Sequence, residues 1–171
     1  KQEGISSYAY LSQVGHITDD SSVSLEYLHN SHLFCGNSQF EQEIEQDILA
    51  IKNIGDSIGG MVTFVANGVP CGLGDPIYQK LEACLAFAMM SIPASKGFEI
   101  GRGFQACTMK ASSHNDLFIL ENGQVKKKTN HAGGILAGIT TGMPIYGRVG
   151  FKPPSSIALA QDSLSLNGEN M

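Results

Sequence analysis

Two stretches of this sequence carry residue types suited to holding a phosphorylated ligand. The first is Thr129-Asn130-His131-Ala132-Gly133-Gly134-Ile135-Leu136-Ala137-Gly138-Ile139-Thr140-Thr141-Gly142. Small side chains at this density let backbone approach a ligand closely, and exposed amides can bond its oxygens or ring nitrogens. Close packing at a subunit contact would use the same residues. The second stretch, Lys152-Pro153-Pro154-Ser155-Ser156, supplies an ammonium, two hydroxyls and a backbone stiffened by proline. Toward a phosphate, lysine acts as a point charge and serine as a donor, while proline keeps the loop preorganised. No Walker A sequence occurs, so a phosphorylated cofactor fits better than nucleoside triphosphate chemistry. We expect the two stretches to form one cradle.

Four other constellations carry a chemical and a bland reading. Glu99-Ile100-Gly101-Arg102-Gly103-Phe104-Gln105-Ala106 fits G-x-G-x-x-A after a strand, the spacing of a nicotinamide dinucleotide site. That site needs a helix opening at the last glycine; Cys107 to Asn115 is a poor amphipathic helix, which favours glycines that permit a tight bend. Ser112-Ser113-His114-Asn115-Asp116 places a hydroxyl, an imidazole and a carboxylate within five residues, but triad members come from separate parts of a chain and no G-x-S-x-G elbow is present. A polar turn whose Asn115 and Asp116 bond nearby backbone is preferred. His32-x-x-Cys35 lacks a second half with metal-site spacing. Lys126 to Lys128, the only basic run, reads as a solvated turn after Asn122-Gly123.

The elements that would position these residues follow from periodicity. Ser7 to Val14 (SYAYLSQV) reads as a strand, and Ser24 to His29 as a short helix after a polar turn at Asp19 to Ser22. Gln39 to Asn53 is the best helix: Phe40, Ile44, Ile48 and Ile51 share a face, Ser38 can cap, and Glu41, Glu43 and Glu45 suit the positive end of its dipole. A strand from about Gly60 to Ala66 closes at Asn67-Gly68, with a hairpin or sharp reversal expected there. Asp75-Pro76 is a helix start, and Ile77 to Ile92 is apolar nearly all round, which marks a helix buried on several sides in the middle of a layered structure. Short β-like pieces follow at Gly97 to Ile100, Asp116 to Leu120 and Pro144 to Phe151. Without regular βαβ alternation the fold class is α+β, mainly antiparallel sheet packed on helices.

Composition limits the function further. At 171 residues and 42% hydrophobic content the chain can bury one core, so a single domain over residues 1–171 is expected. The charged fraction of 16% is well under the roughly 25% usual for soluble domains, which points to surface buried in an oligomer or under further chain. A net charge of -5 argues against nucleic-acid binding. Cys35, Cys71, Cys84 and Cys107 form no CxxC pair and suit reduced thiols in a cytoplasmic protein. No run approaches 18 apolar residues, so no membrane span is expected.

Read together, Gly59-Gly60-Met61-Val62, Gly68-Val69-Pro70-x-Gly72-Leu73-Gly74-x-Pro76, Met90-Ser91-Ile92-Pro93-Ala94-x-Lys96-Gly97-x-Glu99-Ile100-Gly101, Asn130-His131-Ala132-Gly133-Gly134-Ile135-Leu136 and Phe151-Lys152-Pro153 resemble the chorismate synthase family over residues 56 to 156. The resemblance implies a β-α-β sandwich, with helices between antiparallel sheets, assembled as a homotetramer. It implies conversion of 5-enolpyruvylshikimate 3-phosphate to chorismate by 1,4-anti elimination, with reduced FMN and, in some members, NADPH as its reductant. The family's flavin contacts fall on Pro93, Ala94, Ala137 and Lys152, Pro153, Pro154, Ser155, Ser156. Pro93 stands where several members have Asn, Ala137 replaces the first Gly of a pair, and Pro154 replaces a Thr, so a side-chain contact from residue 154 is lost.

The family's two catalytic histidines, its substrate arginines, its Arg-Ser-Ser-Ala segment and its Arg-His-Asp-Pro-Cys motif have no counterpart in these residues, and His114 and His131 are not those histidines. The expectation is therefore the central-to-C-terminal portion of a larger domain, with catalytic residues unassigned and no turnover by these residues alone. The alternative is a catalytically inactive flavin-binding or scaffold module of the same fold.

Overall fold

The computed structural model describes residues 4–169. Its centre is a five-stranded, wholly antiparallel sheet in which chain neighbours are mostly not spatial neighbours. In chain order the sheet strands are β1 (Ser6–Val14), β2 (Ile17–Thr18), β3 (Gly60–Asn67), β4 (Ser95–Ile100) and β9 (Ile145–Phe151), arranged β2-β1-β3-β9-β4. Two small hairpins intervene between β4 and β9, namely β5 (Phe118–Glu121) with β6 (Gln124–Lys127), and β7 (Ile135–Leu136) with β8 (Ile139–Thr140). The helices are α1 (Leu25–Asn30), α2 (Ser38–Asn53), α3 (Leu81–Met90) and the single turn α4 (Ala111–His114). This is the expected α+β architecture.

Period-two alternation gives the sheet two unlike faces. One cross-strand row reads Tyr10, Thr63, Arg148, Glu99, and the row beside it reads Leu11, Val62, Val149, Phe98. The polar row is tied by ion pairing of Arg148 with Glu99 and by a bond from Thr63 Oγ1 to Ser12 Oγ at 2.8 Å. Beneath the apolar face lie two hydrophobic clusters. Val14, Cys35, Phe40 and Ile44 join α2 to β1, while Val69, Ile135 and Ile145 gather Phe64, Leu81, Leu85 and Ile100 around α3.

Several local expectations need correction. Asn37, not Ser38, caps α2, its Oδ1 accepting from Phe40 N–H at 2.9 Å, and Ser38 is the first helical residue. No hairpin follows Asn67-Gly68, because β3 pairs with β1 and β9 instead. Lys126 and Lys127 lie in β6, opposite Ile119 and Phe118, rather than in a turn. The Asp75-Pro76 signal starts no helix: Asp75 bridges Gln79, Ile77 has φ 85°, and α3 begins at Leu81. Leu81 and Leu85 pack against the core cluster of Val69, Ile135 and Ile145, whereas Cys84, Phe87 and Ala88 are exposed. The apolar helix is therefore covered on one side among the described residues, and its other side is open with Phe87 80% exposed.

One buried carboxylate holds the α1–α2 connection. Glu41 is 3% exposed and accepts from Tyr27 Oη, Ser31 Oγ at 2.8 Å and Leu33 N–H at 3.0 Å, with His32 Nδ1 3.0 Å away. Burial alone would raise its carboxyl, but the bonds from Tyr27, Leu33 and Ser31 and the charge of His32 outweigh it and hold Glu41 below the usual range. A depressed folded-state pKa stabilises the fold above the unfolded value, about 4.3 for Glu, and that contribution is lost as pH falls through the folded value. Glu41→Gln, which turns an amide toward three donors, is expected to cost about 1–3 kcal/mol at neutral pH and to flatten the loss of stability below about pH 4. Denaturant midpoints of the full-length protein against pH test this. An unchanged neutral-pH midpoint would show that Glu41 does not hold this connection.

Candidate functional site

The register of β4 against β9 builds the phosphate-type corner. Ser95 lies opposite Phe151, so the flanking residues Ala94 and Lys152 meet, and Lys152 N–H donates to Ala94 O at 3.1 Å. Ser95 is buried and its hydroxyl donates to Ile92 O at 2.7 Å and Met90 O at 3.2 Å, locking the end of α3 to β4. Pro93 and Ala94, the latter at φ 67°, are exposed on that corner. The Lys152 ammonium turns back to bond Ser155 Oγ and Pro153 O, the latter at 3.3 Å. Ammonium and hydroxyl thus converge at the surface, which is the donor set a phosphate needs.

Two residues absent from the sequence-based site support this loop. Ser57 Oγ donates to Pro154 O at 2.6 Å. Gly59 packs so tightly that an added Cβ would meet Phe151 O at 2.6 Å and Pro153 Cδ at 3.1 Å. Pro154 also borders an apolar groove of about 370 Å³ with Leu11, Ile48, Ile51 and Val62. Ser156 is exposed at the end of the loop.

The glycine-dense stretch is a clamped turn followed by a tight hairpin. Asn130 Nδ2 donates to Pro144 O and its Oδ1 accepts from Gly134 N–H, both at 2.7 Å. Gly133 and Gly134 have φ of 68° and 80°, which only glycine adopts freely. The β7–β8 hairpin closes through Ala137 and Gly138 at φ 52° and 88°, the pair of left-handed residues that a two-residue type I′ turn requires. Its tip docks on α3, where Gly138 O accepts from Leu81 N–H at 3.0 Å and satisfies one of the helix's orphan donors.

These placements correct the expectation of one continuous cradle. Pro93, Ala94 and the Lys152 loop sit at the C-terminal end of α3, and Ala137 sits at its N-terminal end. The ten residues of α3 separate them by roughly 15 Å at about 1.5 Å per residue. The structure therefore joins Ala94 to the Lys152 loop and sets Ala137 apart.

The rival constellations are consumed by structure. Gly101 donates its N–H to Tyr146 O at 2.9 Å and packs against the His131–Gly133 turn; a short 3-10 helix over Gly103–Thr108 follows, not a dinucleotide helix. Asp116 does bond backbone, but at His131 and Ala132, far along the chain rather than nearby. His32 faces Glu41 and Glu45, and Cys35 is fully buried. A further cleft of about 490 Å³ on the polar sheet face is lined by Tyr10, Tyr146, Arg102, Arg148, Asp19 and Asp20 among others. Its two guanidiniums and two carboxylates balance; Gly101, Arg102 and Gln105 of the G-x-G-x-x-A stretch line it, and none of the expected flavin contacts does.

With this geometry in view, the comparisons are decisive. The family described as "Chorismate synthase" matches residues 1–171. This chain belongs to the chorismate synthase family. A chorismate synthase of Protochlamydia amoebophila is 48% identical over 175 residues, covering 97% of this chain and 47% of that relative. One of Phocaeicola vulgatus is 43% identical, covering 98% and 48%, and "Chorismate synthase 2, chloroplastic" of Solanum lycopersicum is 43% identical, covering 92% and 38%. A solved chain titled "Crystal Structure of Chorismate Synthase" superposes with TM-score 0.80 at 32% identity, over 88% of this chain and 50% of that one. The chain thus spans about half the length of the chorismate synthases it matches. Its fold is that of the family, and no helix of the described residues is long and apolar enough to cross a membrane.

Proposed function

We propose that this chain is the central-to-C-terminal part of a single larger domain, and that the whole enzyme is a carbon-oxygen lyase of the shikimate pathway. It eliminates phosphate and a ring proton from 5-enolpyruvylshikimate 3-phosphate to give chorismate. The names of relatives at 43–48% identity support this reading. The observation that carries it is the convergence of the Lys152 ammonium and Ser155 hydroxyl on a corner tied to Ala94.

FMN is the cofactor this reading assigns, and the donor set fits it. Lys152 and Ser155, with Ser156 beside them, hold the phosphate end, the prolines Pro153 and Pro154 keep the loop from collapsing, and Pro93 and Ala94 present the adjoining backbone. Ala137 marks a second contact at the other end of α3, and a molecule with a ribityl chain between phosphate and ring has two such ends. When bound and reduced, the flavin supplies an electron-rich ring beside the substrate without net redox change. Gly101 is packed against the His131–Gly133 turn and a short 3-10 helix follows it, so no residue here is assigned to NADPH, the reductant some members use. The assembly we propose is a cytoplasmic homotetramer, which together with the rest of the larger domain would cover the open apolar side of α3 and account for the 16% charged fraction.

The test is turnover. The full-length protein with reduced FMN is expected to form chorismate, whereas the 171-residue chain alone, without counterparts of the family's catalytic histidines and substrate arginines, is expected to give none. A full-length protein without activity, or a chain active by itself, overturns the proposal.

A further inference from the structure

Asp116 lies outside every stretch that the functional reading uses, yet its side chain is 3% exposed and fully engaged. Oδ1 accepts from Thr129 Oγ1 at 2.7 Å and from His131 N–H at 2.7 Å, while Oδ2 accepts from Ala132 N–H at 3.0 Å. The His131 ring is held in turn, its Nδ1 3.1 Å from His114 O and 4.0 Å from Asp116 Oδ1. A buried carboxylate needs such donors, because an unpaired charge there would be costly. Here two of its three donors are backbone amides of one turn.

That turn is the root of the hairpin carrying Ala137. From Ala132 the chain passes through Gly133 and Gly134, both at positive φ, directly into β7, and Thr141 N–H returns from β8 to Gly134 O at 2.9 Å. The other side of the hairpin is fixed by Thr140, 2% exposed, whose Oγ1 donates to Pro70 O at 2.6 Å and accepts from Leu73 N–H at 2.8 Å. With both legs held, the exposed tip at Ala137 has one place to sit, over the start of α3.

We infer that Asp116 is a positioning residue for the cofactor, acting through the amides of His131 and Ala132 to set the Ala137 tip. This rests on the flavin reading above. It assigns the short Asp116 segment, which reads locally as a turn, a task at the ligand. Burial would raise the Asp116 carboxyl, but bonds from Thr129, Ala132 and His131 and the charge of His131 together keep it below its usual range. The clamp therefore remains an acceptor at neutral pH.

The experiment uses the full-length protein and FMN as the probe. Asp116→Asn replaces one acceptor oxygen by a donor facing an N–H or O–H. It is expected to weaken FMN binding by up to about tenfold, the effect of losing one neutral hydrogen bond at the displaced tip. It should shift the visible spectrum of bound flavin, and leave the KM for 5-enolpyruvylshikimate 3-phosphate within about twofold at saturating FMN. Thr129→Val removes one of the three bonds and is expected to give an intermediate loss of about threefold, even if Asp116→Asn fails to fold. Unchanged FMN affinity and spectrum in a folded Asp116→Asn or in Thr129→Val overturns the positioning role alone. A wild-type protein that binds no FMN overturns both this role and the flavin reading.

Discussion

Gly101→Ala is expected to be the most damaging single methyl addition at the site, lowering the stability of the full-length protein by roughly 3 kcal/mol or more. Two costs add. The residue has φ 58°, a region that penalises an L side chain by about 1–2 kcal/mol. An added Cβ would also overlap His131 O and meet Gly133 N at 2.6 Å and Ala132 C at 2.7 Å, all backbone that cannot rotate away. The bonds at this junction, Gly101 N–H to Tyr146 O at 2.9 Å and Arg102 N–H to His131 O at 2.8 Å, prevent either strand from backing off. Because the displaced turn is the one Asp116 clamps, flavin affinity should fall with stability. A denaturant midpoint matching wild type would show that β4 and the His131 turn are not packed as described.

The second large effect is on binding. Lys152→Ala removes the one ammonium of the phosphate-type corner, and a hydrogen bond to a charged group is worth about 1.5–3 kcal/mol, so FMN affinity is expected to fall roughly 10- to 150-fold. Riboflavin, which lacks the phosphate, provides the control. Its weaker binding should be the same in wild type and in Lys152→Ala, whereas Ser155→Ala should lower FMN affinity by less than Lys152→Ala does. Raising ionic strength should weaken FMN binding to wild type more than to Lys152→Ala. If Lys152→Ala loses affinity for FMN and riboflavin equally, Lys152 stabilises the loop and does not meet the phosphate.

What the sequence made legible was local. The alternation of Ser7 to Val14 and Gly60 to Ala66, and the Phe40, Ile44, Ile48 spacing of α2, gave elements within a residue or two of those observed, since one face of each packs on the core. Short pairings such as β2, β7 and β8, two residues each, offer no periodicity to read. The start of α3 was misplaced because it depends on Gly138 O receiving Leu81 N–H, a contact between segments 57 residues apart in sequence. Similarly, nothing in Pro93-Ala94 or Lys152-Pro153 says that they touch; the β4–β9 register decides it. The composition of both small-residue stretches did point to ligand-facing backbone, but their separation by α3 is a tertiary fact. Asp116 and Ser57 support the site from positions whose local sequence is that of ordinary turns, so only distance in space ties them to it; Gly59 stands in a motif of the family resemblance, but its packing against Phe151 and Pro153 is a tertiary fact.

The central claim is that the Lys152-to-Ser156 corner receives the phosphate of FMN. A crystal structure of the full-length protein with FMN bound tests it most directly. The account predicts phosphate oxygens within hydrogen-bond distance of Lys152 Nζ and Ser155 Oγ, with Ala94 alongside. A phosphate bound elsewhere, with Lys152 still turned back onto Ser155 and Pro153, would contradict it.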